Sequence, residues 1–327
     1  MRILVSRTDR LGDVALTLPL CGLLKARLDA TVVFLGRVYT RPLLEASDAV
    51  DEVLDWDGVA DAPLGVRRDF IRAARADVVL HVLPRAGVAW SALAARVPRR
   101  VGTTHRWYHW PTCNVREPLE RRASPLHEAQ LNVQLARTLL PAADLARGVG
   151  ELAGWAGLAA RVAVPAAVVP LLAPDRFALV VHPGSSGSAG EWPLARWRAL
   201  VDALAPERFR VLVTGSSAEG DAMRPWLEAL PGHAHDLTGR LGLAELIAVL
   251  AAAGGIVAAS TGPLHVGALL GRHALGLYAT VRPVHAGRWG PLGPRAEVVE
   301  GDAVAAIPVD AVRARVERWV AAHPGSG

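Results

Sequence analysis

The sequence predicts an α/β protein of two doubly wound domains, and three observations predict it. Short runs of Val, Ile and Leu alternate with stretches of helical length, and runs so uniformly apolar suit parallel strands covered on both faces. The length, 327 residues, exceeds what one hydrophobic core usually serves. The alternation lapses once, at about 153–174, where Pro165, Pro170 and Pro174 stand too close together for a long helix.

Taken in order, the first half offers strands at 3–6, 31–35, 50–54, 77–83 and 100–102, with helices at 13–28, 41–46, 65–76, 87–96 and 127–140. The second offers strands at 177–182, 210–214, 235–237, 255–259 and 274–278, with helices at 194–205, 218–230, 243–252 and 264–270. A closing helix at 308–322 sets Val309, Val312, Val316 and Val320 at helical spacing. The expected domains are therefore 1–160 and 177–327, joined by a linker at 161–176. Folds of this kind bind ligands outside the carboxyl ends of their strands, which places the expected site in a cleft between the halves.

Composition narrows the function. With 51% hydrophobic and 20% charged residues the chain is an ordinary globular sequence, and disorder, collagen and disulfide scaffolds are excluded. Cys21 and Cys113 have no metal-ligand spacing, so a reducing cytoplasm is the expected home. The charged Asp9, Arg10 and Asp13 interrupt the first apolar run, so no signal peptide is expected. The longest uncharged stretch, 246–271, contains Gly254-Gly255 and Ser260-Thr261-Gly262-Pro263, and reads as strand, loop and helix start rather than a membrane span. The net charge of +5 comes from arginine, Lys25 being the only lysine. Codon bias accounts for this as well as an anionic partner would: nucleotide phosphates, an acidic acceptor or an anionic membrane surface. Nucleic acid is not among the expected partners.

The motifs lie where strands end. The first strand runs into Ser6-Arg7-Thr8-Asp9-Arg10-Leu11-Gly12-Asp13, whose single glycine argues against a dinucleotide fingerprint. Asp13 reads either as a helix N-cap or as a carboxylate able to take a proton from an acceptor hydroxyl. Arg7 and Arg10 read as acceptor-binding cations that keep Asp13 ionised, or as solvated loop charges. In the second half, His182-Pro183-Gly184-Ser185-Ser186 continues to Trp192-Pro193 and reads as a diphosphate-binding loop before a helix, or as a flexible linker. Glu219, after Thr214-Gly215-Ser216, reads as a first-turn acid or a ribose ligand. Ser260-Thr261-Gly262-Pro263-Leu264-His265 opens another helix and forms a second anion site, with His265 either packing or contacting phosphate. His233 and His235 lack an acid cluster, so no metal site is expected. The run Trp107-Tyr108-His109-Trp110, beside Arg99, Arg100 and Arg106, reads as a packed loop or as a contact with a lipid-like acceptor.

The order of these blocks resembles bacterial glycosyltransferase family 9, the ADP-heptose:lipopolysaccharide heptosyltransferases. The likeness spans Arg7 to Asp13, His182-Pro183-Gly184 to Trp192-Pro193, and Thr261-Gly262-Pro263-Leu264-His265 with Arg288-Trp289-Gly290-Pro291. The resemblance implies a GT-B fold, two Rossmann-like domains facing a central cleft, and an inverting transfer from an ADP-sugar, heptose or a relative, to a lipopolysaccharide-core or other glycan acceptor. It implies an acceptor-binding first domain and a donor-binding second one. It also implies Asp13 as general base, Ser185 on the diphosphate, Glu219 on the nucleoside, and Thr261, Gly262 and His265 around diphosphate and sugar. Three positions depart from the family pattern. Gly190-Glu191 stands where a lysine usually precedes Trp-Pro, Ser260 replaces an aspartate, and Arg282 replaces a later acid. Arg282 is expected to supply the missing phosphate charge, with Ser185, Ser186, Thr261 and Gly262 stabilising the leaving group. No cofactor or metal ion is expected, and proton removal by Asp13 is expected to contribute about 10²–10⁴-fold. Alternatives are a non-catalytic nucleotide- or glycan-binding homologue, a transferase with another nucleotide-sugar donor, and an oxidoreductase or epimerase on paired Rossmann-like domains. The cytoplasmic face of the inner membrane is an expected location.

Overall fold

The computed structural model describes residues 1–119, 121, 124–185 and 190–321. The chain divides into two compact units, Met1–Leu158 and Ala159–Gly327. The segment expected as a linker carries a 3₁₀ turn, Val169–Leu172, which packs against strands of the second unit.

The first unit holds strands β1 (Arg2–Ser6), β2 (Thr31–Gly36), β3 (Glu52–Asp55), β4 (Val78–His81), β5 (Arg99–Thr103) and β6 (Val115–Glu117). They pair in parallel in the order β3-β2-β1-β4-β5-β6. Parallel pairing demands helical crossovers, and these cover both faces; β4 is accordingly buried along its whole length, and β1 and β2 are buried beyond their first residues. Leu4, Val33, Leu35, Val79 and Val88 form one side of this core with Trp56 and Ile71.

The second unit holds β7 (Phe177–His182), β8 (Phe209–Val213), β9 (Ala234–Asp236), β10 (Gly255–Ala259), β11 (His273–Ala279) and β12 (Ala296–Gly301). Their order, β12-β11-β10-β7-β8-β9, repeats the first sheet's order strand for strand. Both sheets therefore have the 3-2-1-4-5-6 arrangement of Rossmann-like folds, and two such units make up the GT-B class expected above. The core of the second unit centres on Trp192 and Trp197, packed edge to face at 4.9 Å, with the Trp192 indole donating to the Ile307 carbonyl at 3.0 Å. Val312, Val316 and Val320 of the closing helix, Val309–Ala321, are buried against it as the spacing predicts.

Several boundaries differ from expectation. The helix expected at 13–28 is two, Leu11–Ala15 and Leu18–Leu28, because Pro19 lacks an amide hydrogen and is tolerated only in a first turn. Pro225 splits the one expected at 218–230 into Ser217–Ala222 and Arg224–Glu228 in the same way. The helix expected at 127–140 stops at Leu135. Strands β6 and β12 escape the sequence reading because both lie at sheet edges, where burial on two faces no longer imposes an apolar run.

Candidate active site

In a sheet of this order the strands on either side of the first leave it in opposite directions, and the carboxyl ends there form the natural ligand position. In the first unit that point lies between β1 and β4, where Ser6 pairs with His81. The loop leaving β1 brings the predicted Arg7, Arg10 and Asp13 to it. Arg10 is exposed and forms the extended N-cap position of helix Leu11–Ala15. Asp13 lies inside that helix, so the N-cap reading of Asp13 does not hold.

Arg7 is 3% exposed, and its guanidinium is surrounded by acceptors. Nε donates to Asp9 at 3.0 Å, Nη1 to Glu128 at 3.0 Å and to the Asn132 side-chain oxygen at 3.2 Å, and Nη2 to Asp13. Burial opposes the charge on Arg7, but Asp9, Asp13 and Glu128 more than offset it, and the guanidinium stays ionised. Glu128 is held in turn by Arg121, while Asn132 donates to Leu16 O at 3.1 Å and to Thr17 at 3.2 Å. Burial raises the Asp13 carboxyl, Arg7 opposes that rise, and the charges of Asp9 and Glu128 add to it, leaving a value of about 6. A carboxylate with that value is a base matched to neutral pH. Glu128, Asn132 and Arg121 were not singled out from the sequence. Glu128 is 121 residues from Arg7, and no local spacing joins them.

In the second unit the corresponding point lies between β7 and β10, with β8 on the other side of β7. The loops after these three strands carry Ser185, Glu219 and the Ser260–His265 segment, so the topology gathers the predicted donor residues along one sheet edge. Ser186 lies outside the described residues. Ser185 is buried, and its hydroxyl donates to Glu191 Oε1 at 3.1 Å. Glu219 closes a capping box, accepting from the Ser216 amide at 2.8 Å and from its hydroxyl at 2.9 Å. The same carboxylate lies over Gly184, where a Cβ would collide with Oε1. His182 was not chosen from the sequence as a site residue. It is buried beside Thr214, with Nδ1 3.0 Å from Oγ1, and burial lowers its pKa against the opposing charge of Glu219.

Thr261 caps helix Gly262–Leu269 with extended backbone, and its hydroxyl is buried with no hydrogen-bond partner among the described residues. Gly262 and the buried His265 open that helix, whose amide end favours anions. Ser260 reaches across to the buried Tyr278 phenol on β11. Arg282 is exposed in the loop that leaves β11, the neighbour of β10. His233 is committed elsewhere, its Nε2 lying 3.1 Å from Val201 O. Among the described residues no three His, Cys, Asp or Glu side chains converge to hold a metal ion.

The family model described as glycosyltransferase family 9 (heptosyltransferase) matches residues 71–313. The chain belongs to glycosyltransferase family 9. This glycosyltransferase is 26% identical over 297 residues to lipopolysaccharide heptosyltransferase 2 of Salmonella typhimurium, covering 86% of this chain and 84% of that protein. Its fold matches the glycosyltransferase family 9 structure from Veillonella parvula with a TM-score of 0.80 at 18% identity, covering 98% and 97% of the two chains. It also matches the Escherichia coli ADP-heptose lipopolysaccharide heptosyltransferase II with a TM-score of 0.77 at 23% identity, covering 98% and 99%. No helix among the described residues of this family 9 enzyme is long and apolar enough to cross a membrane.

Proposed function

We propose that the protein is an inverting glycosyltransferase that moves a sugar, heptose or a close relative, from an ADP-linked donor to a hydroxyl of a lipopolysaccharide-core or other glycan acceptor. The observation that carries this reading is Asp13. It is a carboxylate near the carboxyl end of β1, clamped by a buried arginine and raised to about 6. The relatives' names, lipopolysaccharide heptosyltransferase 2 and ADP-heptose lipopolysaccharide heptosyltransferase II, support the choice of donor and acceptor class.

In the proposed reaction the acceptor oxygen attacks the anomeric carbon as the bond to the diphosphate breaks, and the acceptor proton passes to Asp13. Negative charge grows on the leaving diphosphate. The Gly262 amide, the Thr261 hydroxyl and the start of the helix behind them stabilise it, with Ser185 and Arg282 adding donors and charge. Glu219, oriented by its capping box, contacts the ribose. Arg10 engages the acceptor from the exposed side of the β1 loop, while Arg7 holds Asp13 in place. In this proposal the leaving group is stabilised by these donors and by Arg282 rather than by a metal ion. The lipid part of such an acceptor places the enzyme at the cytoplasmic face of the inner membrane.

The test is sugar transfer from ADP-heptose in the presence of a chelator, with wild type and Asp13→Ala. Wild type should turn over. Asp13→Ala should lose transfer by at least about 10²-fold while ADP still raises its melting temperature. Turnover by Asp13→Ala at the wild-type rate would remove Asp13 from the mechanism. A second reading, binding without transfer, draws on Glu191, whose carboxylate engages Ser185 at the proposed diphosphate loop. An ADP-induced stabilisation with no turnover on any ADP-sugar would favour it.

A further inference from the structure

The stretch 78–116 contains no aspartate or glutamate and six arginines. It comprises β4, the helix Ala86–Ala94, β5, the short helix His109–Thr112 and the start of β6, and the two helices pack against each other. Trp90, Trp107 and Trp110 lie in this region, exposed by 36%, 73% and 59%. The segment after β5 is anchored from beneath. His109 is buried, its Nδ1 accepts from the Thr103 amide at 2.9 Å, and the Thr112 hydroxyl donates to Tyr108 O. The indoles are therefore held outward by a fixed base.

Cations lie close by. Arg116 sits over the Trp110 ring at 4.8 Å, and the Trp110 indole donates to Thr104 O at 3.2 Å. Burial raises the Tyr108 phenol, and Arg106 and Arg85 both lie near enough to oppose that rise. The first acid beyond the stretch, Glu117, is buried and paired with Arg137. Outward aromatic rings with a polar edge, set among guanidinium groups and without an acid in the stretch, match the headgroup layer of a membrane, whose phosphates are anionic and whose depth suits indole.

We propose that this face, with Trp107 and Trp110 at its centre and Arg85, Arg106 and Arg116 around them, is the surface by which the protein rests on an anionic lipid bilayer. The proposal deepens the reading of a lipid-linked acceptor and rests on it for its purpose. Its test uses neither donor nor acceptor, so the two fail separately. The full chain is sedimented with vesicles of phosphatidylcholine alone and with vesicles also containing phosphatidylglycerol. The chain should bind the anionic vesicles at least about tenfold more tightly, and rising salt should remove most of that preference. Trp107→Ala/Trp110→Ala should weaken binding by about tenfold or more with an unchanged melting temperature. Arg85→Gln/Arg106→Gln, which leaves the rings in place, should lose about fivefold per charge on anionic vesicles only. Equal binding to the two vesicle types, or wild-type affinity in the tryptophan double variant, would overturn the proposal. Concentration-dependent self-association that the double variant abolishes, without vesicle binding by wild type, would assign the face to contact between copies instead.

Discussion

Asp13 is pulled in two directions, and the balance sets measurable behaviour. Burial and the neighbouring Asp9 and Glu128 favour its neutral form, Arg7 favours the anion, and the outcome is a value of about 6. A base must be ionised to act, so transfer should fall away below about pH 6 rather than below the ordinary carboxylate value near 4. The check is kcat/KM from pH 4.5 to 8, the flat region lying above the inflection. The same shift acts on stability with a definite sign. The native state binds the Asp13 proton more tightly than the unfolded chain does, so this group's contribution falls as pH rises from about 4 to 6. Asp13→Asn should flatten that part of a stability-versus-pH curve. Glu128→Gln removes a charge that raises Asp13 and one partner of a buried guanidinium. It should move the acid limb of the rate profile to lower pH and cost about 1–3 kcal/mol in chemical denaturation. Retained stability together with an unmoved acid limb would mean that Glu128 carries neither role.

At the scale of elements, the candidate site residues gather at loops leaving parallel strands, and close approaches shape the loops after β7 and β8. Gly184 is the clearest case, because a methyl group there would drive into the Glu219 carboxylate. Gly184→Ala should displace Glu219 from its cap, weaken ADP binding by about tenfold and cost about 1–3 kcal/mol, both readable in a thermal-shift titration. The central strands and the loops that follow them were legible in the sequence, since two-sided burial leaves apolar runs and helix starts leave Gly, Ser, Thr and Pro. The edge strands β6 and β12 and the breaks at Pro19 and Pro225 were not. An edge strand carries a mixed pattern, and a proline allowed in a first turn does not announce whether a helix begins or merely bends. The residues that hold Arg7 were also hidden. Arg7 read as an acceptor contact because its loop is polar, whereas the helix Glu128–Leu135 supplies the carboxylate and amide that bury it. The join between Ser260 and Tyr278 spans two strands and leaves no trace in either motif.

For the whole molecule, the repeated strand order means that the same architecture is built twice, each time around its own core. Residues 1–158 and 159–327, expressed separately, should each fold with helical circular dichroism and a cooperative thermal transition; a chain that melts without a transition would show that its core is incomplete alone. The cationic character that suits phosphate and lipid partners is carried by guanidinium groups almost throughout. Lys25, whose ammonium donates to Asp51 and to the Asp48 carbonyl, is the single side-chain amine, and both cysteines are buried. A chain this rich in positive charge thus offers chemists very few reactive handles. An amine-directed dye will mark one side chain in the first unit, thiol reagents will label slowly, and lysine-targeted fixation will barely hold the protein.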